Sequence, residues 1–234
     1  VSHACNLQEE RMLTRRRFMA ASIAGGALLR ARGADARGVA VIDDKTPESE
    51  LDAMAQAGVR GIRLNLATGG AADPATGRSR FERAVGRVKR RNWHVQMYTN
   101  LATISAISDL VAVAPVPVVF DHFGGARAEL GPRQPGFAEL LDLVRSGRAY
   151  VKISGAYRSS KLAPDYADVV PLAQALIAAN PEHPNSASGR NATEVTPLFQ
   201  IDDGRLLNQL AVWAPDAATR SRILVDNPAH LYGF

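Results

Sequence analysis

The sequence predicts an α/β protein built on a parallel sheet, and three patterns support that prediction. Short apolar runs of strand length alternate with longer segments whose apolar residues recur at helical spacing. The run at 116–121 is apolar up to its last residue and bounded by prolines and glycines, which is typical of a strand buried on both faces. Polar, ionisable residues follow the ends of several runs, where α/β proteins place their functional sites.

Five strands are predicted, and each is followed by a helical segment. This repeated βα order favours parallel neighbours joined by right-handed crossovers. The predicted strands are residues 38–42, 61–66, 94–99, 116–121 and 149–154. Within the second of them, alternation places Arg63 and Asn65 on the face opposite Ile62, Leu64 and Leu66.

The helical segments are recognised by their ends and by their apolar stripes. Thr46 is the predicted N-cap of the first helix, with Pro47 at its first position and Gly58 just past its end. The stripes of the later helices are Phe81, Ala84, Val85 and Val88; Ile104, Ile107, Leu110 and Val111; Phe137, Leu140, Leu141 and Val144; and Val169, Leu172, Ala173, Leu176 and Ile177.

The stretch VPVVFDHFGG, residues 116–125, places Asp121 and His122 at the C-terminal end of a buried strand. Taken alone, such a histidine is more often a satisfied strand-end residue than a functional one. Other predicted strands also end in polar side chains, and parallel strands end on the same edge of a sheet. The residues at these other ends are Arg63, Asn65, Gln96, Tyr98, Lys152 and Ser154, with Tyr157 and Arg158 just beyond. The repetition favours a shared functional face.

Composition excludes several classes of protein. The single cysteine, Cys5, excludes an internal disulfide framework and a cysteine-rich zinc site. The net charge of +5 lies mostly in residues 1–37, which hold seven arginines against three acidic residues. The remaining residues are almost neutral, so we expect no nucleic-acid partner.

The N-terminal segment, residues 1–36, resembles a twin-arginine export signal. Arg15, Arg16 and Arg17 precede an apolar run that is too short to span a bilayer, and Ala34-Asp35-Ala36 supplies an A-x-A cleavage pattern. On this interpretation the mature domain is 37–234, located in the periplasm or exported, with no membrane contact beyond the signal. The alternatives are an amphipathic N-terminal helix and a cytoplasmic location.

Several motifs together resemble the amidohydrolase-related family that includes 2-pyrone-4,6-dicarboxylate lactonase. They are GVRGIRLN (58–65), HVQMY (94–98), VVFDHFGG (118–125), YVKISGAYRSS (150–160) and ILVDNPAHLYGF (223–234). The resemblance implies a (β/α)8 barrel and hydrolysis of lactones or related small acids. It implies that His122 is the catalytic histidine, and that Arg63, Tyr157, Arg158 and Asn185 bind an anionic substrate.

The sequence departs from this family's pattern at two positions that carry the family's catalytic chemistry. The family's first strand carries His-x-His, and no such pair occurs among the five histidines here. The last strand, which carries an aspartate, is also missing, because Asn180-Pro181-Glu182 runs directly into His183-Pro184-Asn185. Five of eight strands are therefore expected. No metal ligands are assigned, since a lone His122 does not make a metal site, and the cofactor stays undetermined.

Three hypotheses of different classes follow. The first is a hydrolase that opens a small lactone or related cyclic acid by water attack, with the sequence incomplete or misassembled. The second is a shortened, catalytically impaired homologue that binds small carboxylates through Arg63 and Arg158. The third is a scaffold attached to a membrane or nucleic acid by its basic N-terminus, which the charge distribution makes the weakest of the three.

Overall fold

The computed structural model contains a parallel sheet whose strands lie side by side in sequence order. The structure describes residues 36–67, 73–181, 184–185 and 202–234. Within these ranges the strands are β1 (Gly38–Ala40), β2 (Val59–Asn65), β3 (His94–Tyr98), β4 (Val118–Phe120), β5 (Ala149–Lys152) and β6 (Pro184–Asn185). Every neighbouring pair is parallel, which confirms the predicted α/β class.

Helices connect most of the strands, and several short helices follow β6. They are α1 (Glu48–Gln56), α2 (Pro74–Val88), α3 (Leu101–Ala112), α4 (Phe137–Arg145), α5 (Ala156–Ser159), α6 (Val170–Ala179), α7 (Asp203–Asn208), α8 (Leu210–Trp213), α9 (Ala217–Ser221) and α10 (Asn227–Tyr232). Asp202, which the sequence leaves without a catalytic role, caps α7 by accepting a hydrogen bond from the Arg205 amide. A π-helical turn at Arg222–Asp226 leads into α10.

The structure adds one short strand to the five predicted and corrects the cap of one helix. The added strand, β6, lies in the retained flank His183-Pro184-Asn185 and pairs Pro184 with Val151 and Asn185 with Lys152. Two residues are too few to form an apolar run, so no periodicity marks this strand in the sequence. The helix α1 begins at Glu48 with Pro47 as its N-cap. Thr46 does not cap it, because its hydroxyl oxygen accepts a hydrogen bond from the Asp43 amide while the hydroxyl donates to the Asp43 carboxylate.

One face of the sheet packs against the helices and forms the main hydrophobic core. Strand alternation sends every second side chain to this face. The fully buried members from the strands are Ile62, Val95, Met97, Val118, Phe120 and Val151, and those from the helices include Phe81, Ile104, Leu140 and Leu172. The remaining side chains of the strands point to the opposite face of the sheet, here named the interior face. This face carries the polar side chains.

His94 lies on this interior face, two residues before Gln96. Its side chain is 1% exposed, and its ring meets the Tyr232 ring edge-on at a centroid distance of 5.2 Å. A Cβ atom on Gly61 would lie 2.4 Å from the His94 ring, so only glycine leaves room for it. Burial lowers the pKa of His94 to about 4, and the positive charge of Lys152 acts in the same direction.

We expect His94 to make the fold sensitive to acid. Below pH 6.5 the unfolded chain protonates this histidine while the folded chain resists protonation until about pH 4. Stability is therefore lost as the pH falls, by about 3 kcal/mol in total. Urea unfolding at pH 7 and pH 4.5 should show a smaller loss for His94→Leu than for the wild type. The exposed His230→Leu control should lose as much as the wild type, and equal losses in all three proteins would refute the assignment.

The predicted export signal occupies residues 1–36, which lie almost wholly outside the described ranges. It therefore stays a prediction. Among the residues that the structure describes, no helix combines the length and hydrophobicity that crossing a bilayer requires.

Candidate active site

The loop that follows β4 holds His122 in an unusual backbone conformation. His122, Phe123, Gly124 and Gly125 all have positive φ angles, at 49°, 56°, 67° and 75°. Such angles cost a non-glycine residue of order 1 kcal/mol, so surrounding packing must hold the turn. The Phe123 side chain supplies that packing, because it is fully buried and contacts the Trp213 ring edge-on.

The glycines of this turn are required by space as well as by conformation. A Cβ atom on Gly125 would lie 2.3 Å from the Thr99 carbonyl oxygen, and one on Gly124 would lie 2.5 Å from Leu140. On the next strand's loop, a Cβ on Gly155 would lie 2.8 Å from Nδ1 of His122. The glycines of the HFGG and ISG motifs therefore determine where the His122 ring can sit.

Asp121 is the buried carboxylate at the centre of the interior face, with 2% of its surface exposed. Nε of Arg63 donates to its Oδ2 at 2.7 Å, and Nε2 of Gln96 donates to Oδ1 at 2.8 Å and to Oδ2 at 3.1 Å. Nζ of Lys152 lies 3.7 Å from Oδ1 and donates to Oε1 of Gln96 at 2.8 Å. The strands β2, β3 and β5 and the residue that follows β4 thus contribute one side chain each to a single network.

The neutral His122 ring has a defined tautomer. Its Nδ1 lies 3.2 Å from the Ser154 carbonyl oxygen, which can only accept a hydrogen bond, so Nδ1 carries the hydrogen. Nε2 then holds a lone pair and can act as a base. Burial lowers the pKa of His122 below 6.5, and the neighbouring Arg158 and Arg63 lower it further against the opposing charge of Asp121. His122 is therefore neutral at pH 7.

Tyr98 connects the candidate substrate-binding arginines to His122. The guanidinium carbons of Arg63 and Arg158 lie 5.2 Å and 5.4 Å from the Tyr98 ring centroid, within cation–π range. Nη1 of Arg158 also donates to the Tyr98 hydroxyl at 3.1 Å, and the His122 ring meets the Tyr98 ring edge-on at 5.6 Å. Arg63, His122 and Arg158 therefore lie together at the C-terminal edge of the sheet.

The other two residues that the sequence proposes for substrate binding are placed differently. The Tyr157 ring lies 5.4 Å from the Arg158 guanidinium, but its hydroxyl is buried without a hydrogen-bond partner among the described residues. Burial raises the pKa of the Tyr166 hydroxyl above its ordinary value. Asn185 lies in β6 beside Lys152, and its side chain falls outside what the structure describes. The roles of all these residues remain predictions.

Sequence reasoning noted Asp121, Gln96, Lys152 and Tyr98 at the strand ends but gave them no role in the site. The sequence did contain a signal for these roles, namely polar residues within buried strands. Gln96 is a buried polar residue in the middle of β3, and Lys152 is the half-buried last residue of β5. A polar residue in a buried strand needs a partner across the sheet, and that requirement could have linked these positions to Asp121.

A divalent cation does not fit the described residues. Within the described ranges, no group of three or more histidine, cysteine, aspartate or glutamate side chains is arranged to hold one. Both carboxylate oxygens of Asp121 already accept hydrogen bonds from Arg63 and Gln96, and Nδ1 of His122 faces the Ser154 carbonyl. No step through a metal is derived from these groups.

The amino-acid sequence matches a known protein family. A profile of the amidohydrolase family, described as Amidohydrolase, matches residues 21–185, and the chain belongs to this family. A curated relative, 4-sulfomuconolactone hydrolase of Rhizobium radiobacter, is 37% identical over 189 residues, which cover 79% of this chain and 62% of that protein. This chain therefore spans about three fifths of that relative's length.

Two further similarities extend over more of the chain. The 2-pyrone-4,6-dicarboxylate hydrolase of Comamonas testosteroni is 29% identical over 218 residues, covering 86% of this chain and 68% of that protein. A crystal structure from Pseudomonas putida, of a protein proposed to be a 2-pyrone-4,6-dicarboxylic acid hydrolase, superposes with a TM-score of 0.74 at 28% identity. It covers 93% of this chain and 77% of the other. These similarities confirm the expected family and its barrel-type fold.

Proposed function

We propose that this protein hydrolyses a small anionic lactone at the C-terminal edge of its sheet. The observation that carries the proposal is the grouping of Arg63 and Arg158 around Tyr98, beside a neutral His122. Guanidinium groups bind carboxylate or sulfonate oxygens with paired hydrogen bonds. The relatives named above act, by their names, on a sulfonated lactone and on a pyrone dicarboxylate, which supports this class of substrate.

The balance of charge among the described residues around Asp121 favours an anionic substrate over a neutral one. Two basic side chains, Arg63 and Lys152, pair with this single carboxylate, and the Arg158 guanidinium lies against the Tyr98 ring that Arg63 also contacts. Their partial burial excludes much of the water that would screen them. A substrate with one or two acidic groups would restore the charge balance of this face.

In the proposed reaction, Nε2 of His122 takes a proton from a water molecule as the water oxygen forms a bond to the lactone carbonyl carbon. The resulting tetrahedral oxyanion lies within the field of the arginines, which stabilises developing negative charge. When the ring C–O bond breaks, the His122 imidazolium returns the proton to the leaving oxygen. The product is the open-chain hydroxy or keto acid, and His122 is regenerated in its neutral form.

The test compares charged and uncharged lactones. We expect turnover of 2-pyrone-4,6-dicarboxylate or 4-sulfomuconolactone, and little turnover of δ-valerolactone, which has no acidic group to bind. Arg158→Leu should raise KM for the anionic lactone about 10- to 100-fold, the usual value of one charge-assisted hydrogen bond. The exposed Arg145→Leu, on α4, is the matched control and should leave KM unchanged.

A second candidate function is binding of small carboxylates without catalysis. The two arginines beside Tyr98 favour it, since guanidinium groups bind a carboxylate whether or not a reaction follows. A folded chain that binds citrate in calorimetry but turns over none of the anionic lactones would support this alternative and overturn the hydrolase proposal.

A further inference from the structure

A directional chain of hydrogen bonds lies beneath Arg63 on the interior face. Lys152 donates to the oxygen of the Gln96 amide, the nitrogen of that amide donates to Asp121, and Arg63 donates to Asp121 from the other side. A carboxylate can only accept and an ammonium group can only donate, so Asp121 and Lys152 together fix the orientation of the Gln96 amide. Without Lys152, the amide oxygen loses its donor and only Asp121 holds the amide in place.

The hydrogen bond to Asp121, together with one to Asn65, determines the orientation of the Arg63 guanidinium. Its Nε is held by Asp121 and its Nη1 by the side-chain oxygen of Asn65. Among the described residues, Nη2 has no hydrogen-bond partner, so it is the nitrogen available to an anionic ligand. An arginine anchored through Nε and Nη1 has lost most of its side-chain freedom before a ligand arrives, which lowers the entropic cost of binding.

The chain of contacts is shielded from water along its length. Gln96 is 5% exposed and the Lys152 side chain 12% exposed, so their interactions are little screened. Burial lowers the pKa of Lys152, while the charge of Asp121 opposes that shift. Neither Gln96 nor Lys152 belongs to the residues that the family resemblance assigns to substrate binding.

We propose that Gln96 and Lys152 are positioning residues that orient the Arg63 guanidinium through Asp121 and thereby set its affinity for an anionic group. The orientation of Arg63 does not depend on any reaction. Only the statement that the anion is a lactone substrate rests on the proposed function. Binding and spectroscopy, which need no turnover, can therefore test the positioning role separately.

The first experiment follows the Nε–H of Arg63 by ¹⁵N NMR, with the signal assigned by its loss in Arg63→Lys. We expect slow exchange of this hydrogen with solvent in the wild type, because it is bonded to a buried carboxylate. Lys152→Met and Gln96→Met should each shift the signal and speed its exchange at least tenfold. The exposed Lys89→Met, which removes the same charge elsewhere, should change neither property.

The second experiment measures citrate binding by calorimetry. Lys152→Met and Gln96→Met should each weaken binding about tenfold, and the double variant should be no weaker than either single variant, because both act through Asp121. Lys152→Arg, which keeps a donor and a charge, should recover part of the loss. Lys89→Met should bind as the wild type does.

Three results would overturn the proposal. The first is an Arg63 Nε–H that exchanges in the wild type as fast as that of the exposed Arg145, a measurement that needs no folded variant. The second is a citrate Kd that Lys152→Met or Gln96→Met leaves within twofold of the wild type, and the third is the absence of citrate binding to the wild type. A wild type that shows the expected signal and binds citrate but hydrolyses no lactone would overturn the proposed function alone.

Discussion

Replacement of His122 by glutamine is expected to lower kcat/KM for an anionic lactone by about 100- to 10,000-fold, the range typical of a lost general base. KM should change little, because the arginines that hold the anion remain in place. In the wild type, kcat/KM should stay high at pH 7 and fall only below pH 6.5, since burial lowers the pKa of His122 and keeps the base neutral into mildly acidic solution.

The matched control is His230→Gln, the same chemical change at an exposed position in α10. It should retain the kinetics of the wild type. The assignment of His122 as the base is wrong if a folded His122→Gln variant keeps a kcat/KM comparable to that of the wild type. It is also wrong if kcat/KM falls with acid in the same way in His122→Gln as in the wild type.

Replacement of Asp121 by alanine is expected to give the largest loss of stability, about 3–5 kcal/mol of the free energy of unfolding. The change leaves the buried cations of Arg63 and Lys152 without their counter-charge and removes both acceptors of the Gln96 amide. Urea unfolding measures the loss directly through the shift of the midpoint.

A double variant tests the cause of that loss. In Asp121→Ala combined with Lys152→Met, the Lys152 charge that the loss of Asp121 would leave uncompensated is removed as well. The double variant should therefore lose less stability than the sum of the losses in the two single variants. Asp142→Ala, which removes an exposed carboxylate on α4, should cost no more than about 0.5 kcal/mol. Additive losses at Asp121 and Lys152 would show that the two groups do not interact.

The sequence allowed much of the fold to be predicted because the strands are apolar runs with clear ends. The five predicted strands from 38–42 to 149–154 overlap β1 to β5, and Gly58 follows α1 as expected, with a φ of 98°. β6 escaped prediction because Pro184 and Asn185 carry no apolar pattern, and pairing with β5 alone defines them as a strand. The sequence misassigned the cap of α1 because the Asp43 amide, rather than an amide of the helix, donates to the Thr46 hydroxyl oxygen.

The site was predictable only in outline. That Arg63, His122 and Arg158 would meet followed from the parallel direction of the strands alone. The role of Gln96 and Lys152 did not, because it depends on the register between strands and on how far each side chain reaches. Gln96 is level with Arg63 across β2 and β3, and this register brings its amide to the carboxylate of Asp121.

The buried network around Asp121 also bears on how the protein can change over many generations. Well-packed apolar residues in place of buried ion pairs often leave a fold equally stable or make it more stable. Selection for thermal stability alone would therefore tend to erase Arg63, Asp121 and Lys152. Their persistence in a lineage would measure selection for activity, and a laboratory library screened only for heat resistance would drift away from the charged interior.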